Sequence, residues 1–196
     1  MVIFPSASLA TMPAFPTFRL ATVDDVPALV ALVTSAYRGD TSRVGWTTEA
    51  DLLDGARIDP DVLRADIVRP DSRVVVVDGM DGAPLACAHV AIEDGHGYFG
   101  MFAVSPQLQG RGTGDAVLAE CERIVRDDWR LPGMRMTVID VREALIAWYE
   151  RRGYRRTGRH KPFPYGDVRF GIPLRADLRF EVLEKMFAAT SFGAAR

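Results

Sequence analysis

Three glycines stand at alternate positions in the segment Val104-Ser105-Pro106-Gln107-Leu108-Gln109-Gly110-Arg111-Gly112-Thr113-Gly114, between two runs of opposite character. Residues 98–104 are apolar and strand-like, whereas residues 115–126 repeat apolar side chains at helical spacing. A strand that feeds such a turn into a helix leaves the first backbone N–H groups of the helix without partners, at the positive end of its dipole. That arrangement suits a phosphate or pyrophosphate. Glycine at 110, 112 and 114 lets the main chain come close to the anion and permits positive φ. On the glycines alone, an ordinary ligand-free turn fits equally well. Two phosphate patterns are ruled out by spacing. A dinucleotide turn needs G-x-G-x-x-G, and counting from Gly110 the last position is Asp115. The triphosphate loop needs a lysine after its last glycine, and the chain's lysines are Lys161 and Lys185.

What fits is Q-x-x-G-x-G, read as Gln109-Gly110-Arg111-Gly112-Thr113-Gly114 after a strand ending Val-x-Pro. This resembles the acyl-CoA pyrophosphate loop of the GCN5-related N-acetyltransferase (GNAT) superfamily. A second segment, residues 142–154, is similar to the superfamily's A-x-x-[hydrophobic]-Y-E-x-x-G-[FY], here with Tyr149, Glu150, Gly153 and Tyr154. The resemblance implies an α+β acyl-CoA N-acyltransferase fold, with a mixed central sheet of about seven strands flanked by about four helices. In that fold the fourth and fifth strands splay to admit the pantetheine arm. It also implies acetyl-CoA as cosubstrate, no metal, and transfer of the acetyl group to a primary amine of a small molecule or amino acid. The alternative is an inactive acyl-CoA-binding sensor.

Such a transfer requires a held pyrophosphate, a polarised thioester carbonyl, a deprotonated amine and a protonated leaving thiolate. The resemblance gives the first task to the backbone of residues 109–114, with Arg111 adding a charge-assisted contact. It gives the second to backbone amides of the strand ending Phe102-Ala103-Val104. Tyr149 takes the position of the general acid, a phenol whose ordinary pKa of ~10 suits a thiolate; packing as a core aromatic is its structural alternative. Glu93 ranks first as general base. Asp140, Glu49, His89 and His96 are its rivals, and a substrate that needs no dedicated base is also compatible. Where many members carry an asparagine on the cofactor arm, seven residues before the tyrosine, this chain has Arg142, a group that reaches a phosphate, an acidic substrate or solvent. The acceptor end is expected under residues 159–175, with Phe163, Tyr165, Phe170, Trp46 and Glu49 as candidates.

Composition sets the remaining bounds. At 196 residues the chain is long enough for a single self-sufficient core. A net charge of −2 gives no electrostatic case for nucleic acid or an anionic membrane. Cys87 and Cys121 sit where small core residues belong and have no histidine at metal spacing, which points to a reducing cytoplasm. No cysteine lies in either motif, which argues for direct attack in a ternary complex over an acyl-enzyme. No apolar run reaches the ~18 residues of a membrane span. The chain divides into a loose segment over residues 1–16, the catalytic domain over 17–187 and a tail over 188–196. A homodimer through exposed strand edges is compatible with this layout.

Periodicity supplies the scaffold. A strand over residues 17–20 leads to Thr22 and Asp25, which cap a helix with Val26, Leu29, Val30, Val33 and Tyr37 on one face. A second helix is expected from Thr47 or Thr48 to about Leu53, and a third over residues 61–68. Strands follow over 73–77, 85–93 and 98–104, then the loop and its helix. A strand over 134–139, a helix over 143–152 and strands over 155–158 and 179–186 complete the order.

Overall fold

The computed structural model describes residues 16–188; the expected terminal segments lie, but for residues 16 and 188, outside the described residues. In chain order the elements are β1 (Phe18–Leu20), α1 (Val26–Tyr37), α2 (Gly39–Ser42), β2 (Leu53–Asp54), α3 (Pro60–Val68), β3 (Ser72–Asp78) and β4 (Pro84–Glu93). There follow β5 (His96–Val104), α4 (Thr113–Arg123), β6 (Gly133–Ile139), α5 (Glu143–Glu150), β7 (Arg155–Pro162), β8 (Ile172–Pro173) and β9 (Arg179–Met186). Seven strands form one mixed sheet in the order β1-β3-β4-β5-β6-β9-β7, while β2 and β8 pair separately.

The β-branched run of β3 and the small residues of β4 are buried on both sides, so the sheet is covered by helices on both faces. Val75, Ala86, Ala88, Val90, Phe99, Met134 and Met136 point toward α4 and α5. Their strand neighbours Val74, Val76, Cys87 and Ala103 point toward α1 and α3. Both cysteines are free and buried in these cores. Pro27 in the first turn of α1 and Leu29, Val33 and Tyr37 on its buried face match the sequence pattern. Asp59 caps α3, accepting from the N–H groups of Asp61 (2.8 Å) and Val62 (3.1 Å), with Pro60 at the first helical position.

Two irregularities open the middle of the sheet. Parallel pairing of β5 with β6 runs only through Gly97–Met134, Tyr98–Arg135 and Phe99–Met136, so residues 100–104 and 137–139 diverge. On its other side β5 bulges: Cys87 faces Ala103 and His89 faces Gly100, so two residues, Met101 and Phe102, oppose Ala88 alone. Met101 takes φ of 45°, the left-handed conformation that lets the extra residue fit.

The helix expected from residue 47 to 53 does not form. Its place is taken by irregular chain, a turn over residues 50–52 and β2, because Leu53–Asp54 pairs with Pro173 and Ile172 while the Glu49 side chain is drawn inward by three arginines. Tertiary partners override the local pattern here. The strand expected over 155–158 continues to Pro162, and α4 ends in one wide turn over residues 124–128. Among the described residues no helix is long and apolar enough to cross a membrane, and no group of three or more His, Cys, Asp or Glu side chains is placed to hold a metal ion.

Candidate active site

Beyond Phe99, the divergence of β5 from β6 leaves a cleft of about 390 Å³. Phe102, Ala103 and Val104 of β5 form one wall, and Leu145, Trp148 and Tyr149 of α5 form the other. Gln109, Gly110, Gly112 and Gly114 close one end, while Ala36, Tyr37, Trp46, Thr47 and Arg142 close the side toward α1. The volume lies in the range of small-ligand sites, and the apolar walls with few polar groups match that class.

The loop owes its shape to its glycines. Gly110 has φ of 76° and Gly112, the residue that opens α4, has φ of 85°; a side chain at either would be strained. Gly114 is needed for a different reason, since a Cβ there would sit 3.2 Å from the Phe102 ring. Thr113 is buried beneath the loop, and Arg111 is exposed, outside the cleft lining. Gln109 acts as a tie. Its Nε2 donates to the Val104 carbonyl (3.2 Å), and its Oε1 accepts from the Trp46 N–H (3.0 Å). Gly45 leaves room for it, because a Cβ there would collide with the Gln109 amide.

Tyr149 projects from α5 into the cleft and is 4% exposed. Phe99, Trp148 and Tyr154 surround its ring with centroids 6.4, 5.0 and 5.8 Å away, all edge to face. Among the described residues its hydroxyl has no hydrogen-bond partner. Burial pushes its pKa up, so the phenol keeps its proton at neutral pH.

Arg142 lines the cleft with its guanidinium already engaged. It donates from Nη1 to Glu49 Oε1 (2.7 Å) and from Nη2 to Thr47 Oγ1 (2.6 Å), strapping the start of α5 to the segment after α2. Glu49 is 3% exposed, and its Oε2 is held by Arg38 Nη1 (2.8 Å) and faces Arg57 Nε (3.1 Å). Burial alone would raise the Glu49 carboxyl, but Arg57, Arg142 and Arg38 together outweigh it and hold the pKa at about 2. This carboxylate is a permanent anion with both oxygens occupied, which removes it as a base. The guanidinium carbons of Arg57 and Arg142 lie 4.7 and 5.6 Å from the Tyr37 ring centroid, and the Tyr37 hydroxyl donates to the Phe102 carbonyl at the bulge.

The other base candidates fall outside the cleft. Glu93 pairs with His96 at the far end of β5 and lines a second cavity of about 280 Å³ together with Tyr98, Arg135, Thr137, Arg159 and Lys161. Six residues of strand, roughly 20 Å, separate its partner His96 from Phe102. Sequence order placed it near the reacting end, but the strand runs away from that end. Asp140 accepts from Arg179 (2.6 Å). His89 is buried and neutral, its Nε2 paired with Ser72 Oγ (2.8 Å). His96 meets Arg135 Nη2 at 3.1 Å. Among the described residues Asp115 is the one carboxylate lining the cleft, and it is ion-paired with Arg152.

Of the acceptor-end candidates, Trp46 lines the cleft at 46% exposure. Phe163 is buried with Leu53, Ile139 and Leu178, and the Tyr165 hydroxyl accepts from the Leu178 N–H (2.7 Å), so both pack their own loop. The Phe170 side chain lies outside the described residues. Tyr37, Trp148, Arg151 and Arg152 are among the lining residues that the sequence does not single out as site residues; the last two fall at positions the motif leaves unspecified, and Trp148 at one it specifies only as hydrophobic. The Arg152 guanidinium stacks 3.5 Å over the Trp148 ring and donates to the Trp148 carbonyl (2.8 Å). Only the paired basic residues beside a tryptophan at the end of α5 hinted at this.

Comparison with known proteins agrees with this architecture. The model of the acetyltransferase (GNAT) family matches residues 34–154, more than half of the chain. Among curated proteins, none matches the sequence. Among solved structures, the ribosomal-protein-S18-alanine N-acetyltransferase from Escherichia coli is 14% identical, with a TM-score of 0.65 over 93% of this chain and 100% of that one. A variant of the spermidine N-acetyltransferase SpeG from Vibrio cholerae is 15% identical, with a TM-score of 0.62 over 89% and 95%. Nourseothricin acetyltransferase is 19% identical, with a TM-score of 0.60 over 87% and 97%. These likenesses establish the acyl-CoA N-acyltransferase fold, and the family match establishes the lineage: the chain belongs to the acetyltransferase (GNAT) family.

Proposed function

We propose that the protein moves the acetyl group of acetyl-CoA to a primary amine of a small molecule or amino acid, by direct attack in a ternary complex. The observation that carries this reading is the unpartnered Tyr149 hydroxyl facing a cleft floored by the glycine loop. The loop amides from Gly110 to Gly114 receive the pyrophosphate at the start of α4. The bulged end of β5, residues 102–104, lies along the thioester and offers backbone dipoles to its carbonyl. Attack by the neutral amine forms the C–N bond, and the C–S bond then breaks. Tyr149 gives its proton to the departing thiolate and recovers one from the former ammonium through solvent.

A covalent acyl-cysteine finds no support. Neither Cys87 nor Cys121 lines the cleft, and burial pushes the Cys87 thiol up to about 12 and Cys121 also upward. Among the described residues no side chain lining the cleft is free to act as a base, which favours an acceptor that reaches the cleft already deprotonated or loses its proton through water.

The test is calorimetric titration with acetyl-CoA, NAD and ATP, followed by an amine screen read by thiol release. Micromolar binding of acetyl-CoA alone, with amine-dependent thiol release, supports the reading. Binding without turnover of any amine favours the sensor alternative. No binding removes the basis for the site assignments.

A further inference from the structure

The buried charges on the α1 side of the cleft do not balance. Among the described residues, Glu49 is the one carboxylate paired with Arg38, Arg57 and Arg142, so the cluster carries a net charge of +2. Its oxygens are already taken. Arg38 Nε and Nη2 are buried without a hydrogen-bond partner, while Arg57 Nε faces Glu49 Oε2 at 3.1 Å. Arg38 and Arg142 are nearly enclosed, with side-chain exposures of 6% and 8%, whereas Arg57 keeps 28% of its side chain accessible. Excess positive charge with unused N–H donors in a water-poor place is costly unless an anion joins it.

The position of Arg57 says where that anion would lie. Its guanidinium covers the face of Tyr37, whose hydroxyl is fixed to the Phe102 carbonyl at the bulge. Burial pushes the Tyr98 phenol up, and the Arg57 charge pulls against that rise. The Tyr98 hydroxyl lies over Gly100, where any Cβ would collide with it, so the phenol leans along β5 toward the bulge. Tyr98 in turn lines the second cavity beside Glu93. A molecule reaching the bulge from the α1 side therefore meets a surplus cation at Arg57. That surplus matches a small amine bearing an acidic group and opposes a polycation.

We infer that the acceptor is an amine that also carries an oxyanion, and that Arg57 binds this oxyanion while Arg38 and Arg142 supply the charge behind it. The inference rests on the acetyl-transfer reading above. A planar, bidentate guanidinium takes a carboxylate or a phosphonate in the same way, so the shared chemistry is an oxyanion close to a primary amine.

The test is a matched series assayed by thiol release with the full chain: alanine, 1-aminoethylphosphonate, alaninamide and ethylamine, then phenylalanine, phenylalaninamide and phenethylamine, with spermidine as the polycation. The expected result is kcat/KM at least about ten-fold higher for the acids than for their amides and amines, from one charge-assisted hydrogen bond. The alanine and aminophosphonate arms separate carboxylate from phosphonate. In Arg57→Gln the acid-to-amide ratio falls by about ten- to a hundred-fold, and Arg57→Lys restores part of it. A purely structural Arg57 would leave that ratio unchanged. Should no member turn over, N-acetylalanine and N-acetylalaninamide are titrated into the protein saturated with CoA; equal affinity overturns the inference, and preference for the acid that disappears in Arg57→Gln supports it. Amides or spermidine used as well as the acids also overturn it. Acetyl-CoA titration is run beside each assay: intact binding without acid preference sinks this inference alone, whereas lost binding sinks the acetyl-transfer reading beneath it.

Discussion

Replacing Glu49 with glutamine tests the electrostatic account of the site most directly. Glutamine keeps the shape and leaves three guanidiniums with no neutralising charge. The carboxyl has an ordinary pKa of 4.5 and is held at about 2 in the folded protein. At ~1.4 kcal/mol per pH unit this difference corresponds to about 3 kcal/mol of stability at neutral pH, and removing one partner of a buried ion pair costs about 3–5 kcal/mol in general. Because the folded pKa is depressed, this contribution is fully present above 4.5 and is lost as the pH falls from 4.5 toward 2. Urea unfolding of the wild type and Glu49→Gln at pH 7, 5, 4 and 3 reads both the size and the sign. The variant is expected to be less stable by about 3 kcal/mol at pH 7, on the order of 10 °C in Tm for a domain of this size. The gap should narrow steadily below pH 4.5, since other carboxyls titrate alike in both proteins and cancel. A gap under about 1 kcal/mol at pH 7, or one that stays constant down to pH 3, would refute the reasoning.

Two further outcomes follow from the cleft. Tyr149→Phe should lower kcat by about a hundred-fold or more while acetyl-CoA affinity, read by calorimetry, stays within about two-fold; unchanged turnover near neutral pH would remove Tyr149 from the proton-donor role. Gln109→Ala cuts the tie between Val104 and the Trp46 backbone, so KM for acetyl-CoA should rise by about ten-fold and acrylamide should quench the tryptophan fluorescence more strongly. Unaltered quenching together with unaltered KM would show that the tie does not shape the cleft.

The sequence by itself was enough for the frame. Alternating apolar residues on two strand faces, the helical period of α1 and α4 and the glycine spacing at 110, 112 and 114 are local patterns, and local sterics enforce them whatever lies beyond. Those patterns located the loop and put Tyr149 on the helix beside it, and the resemblance they carried implied a mixed sheet of about seven strands. What lay beyond their reach were side chains whose partners are distant in sequence. Glu49 read as a base or acceptor contact, yet it is enclosed by arginines 11, 8 and 93 positions away, and Arg142, read as a cofactor contact, lines the cleft while bound to Glu49 and Thr47. Glu93 ranked first by the family resemblance, but extended strand carries each residue ~3.3 Å further on, so its end of β5 opens on another cavity. The helix expected over residues 47–53 gave way for the same reason: pairing with Pro173 and burial of one carboxylate outweighed a capping pattern worth about 1 kcal/mol. Element type is decided by near neighbours and backbone sterics; the fate of each charge is decided by which distant charges the closed fold brings beside it.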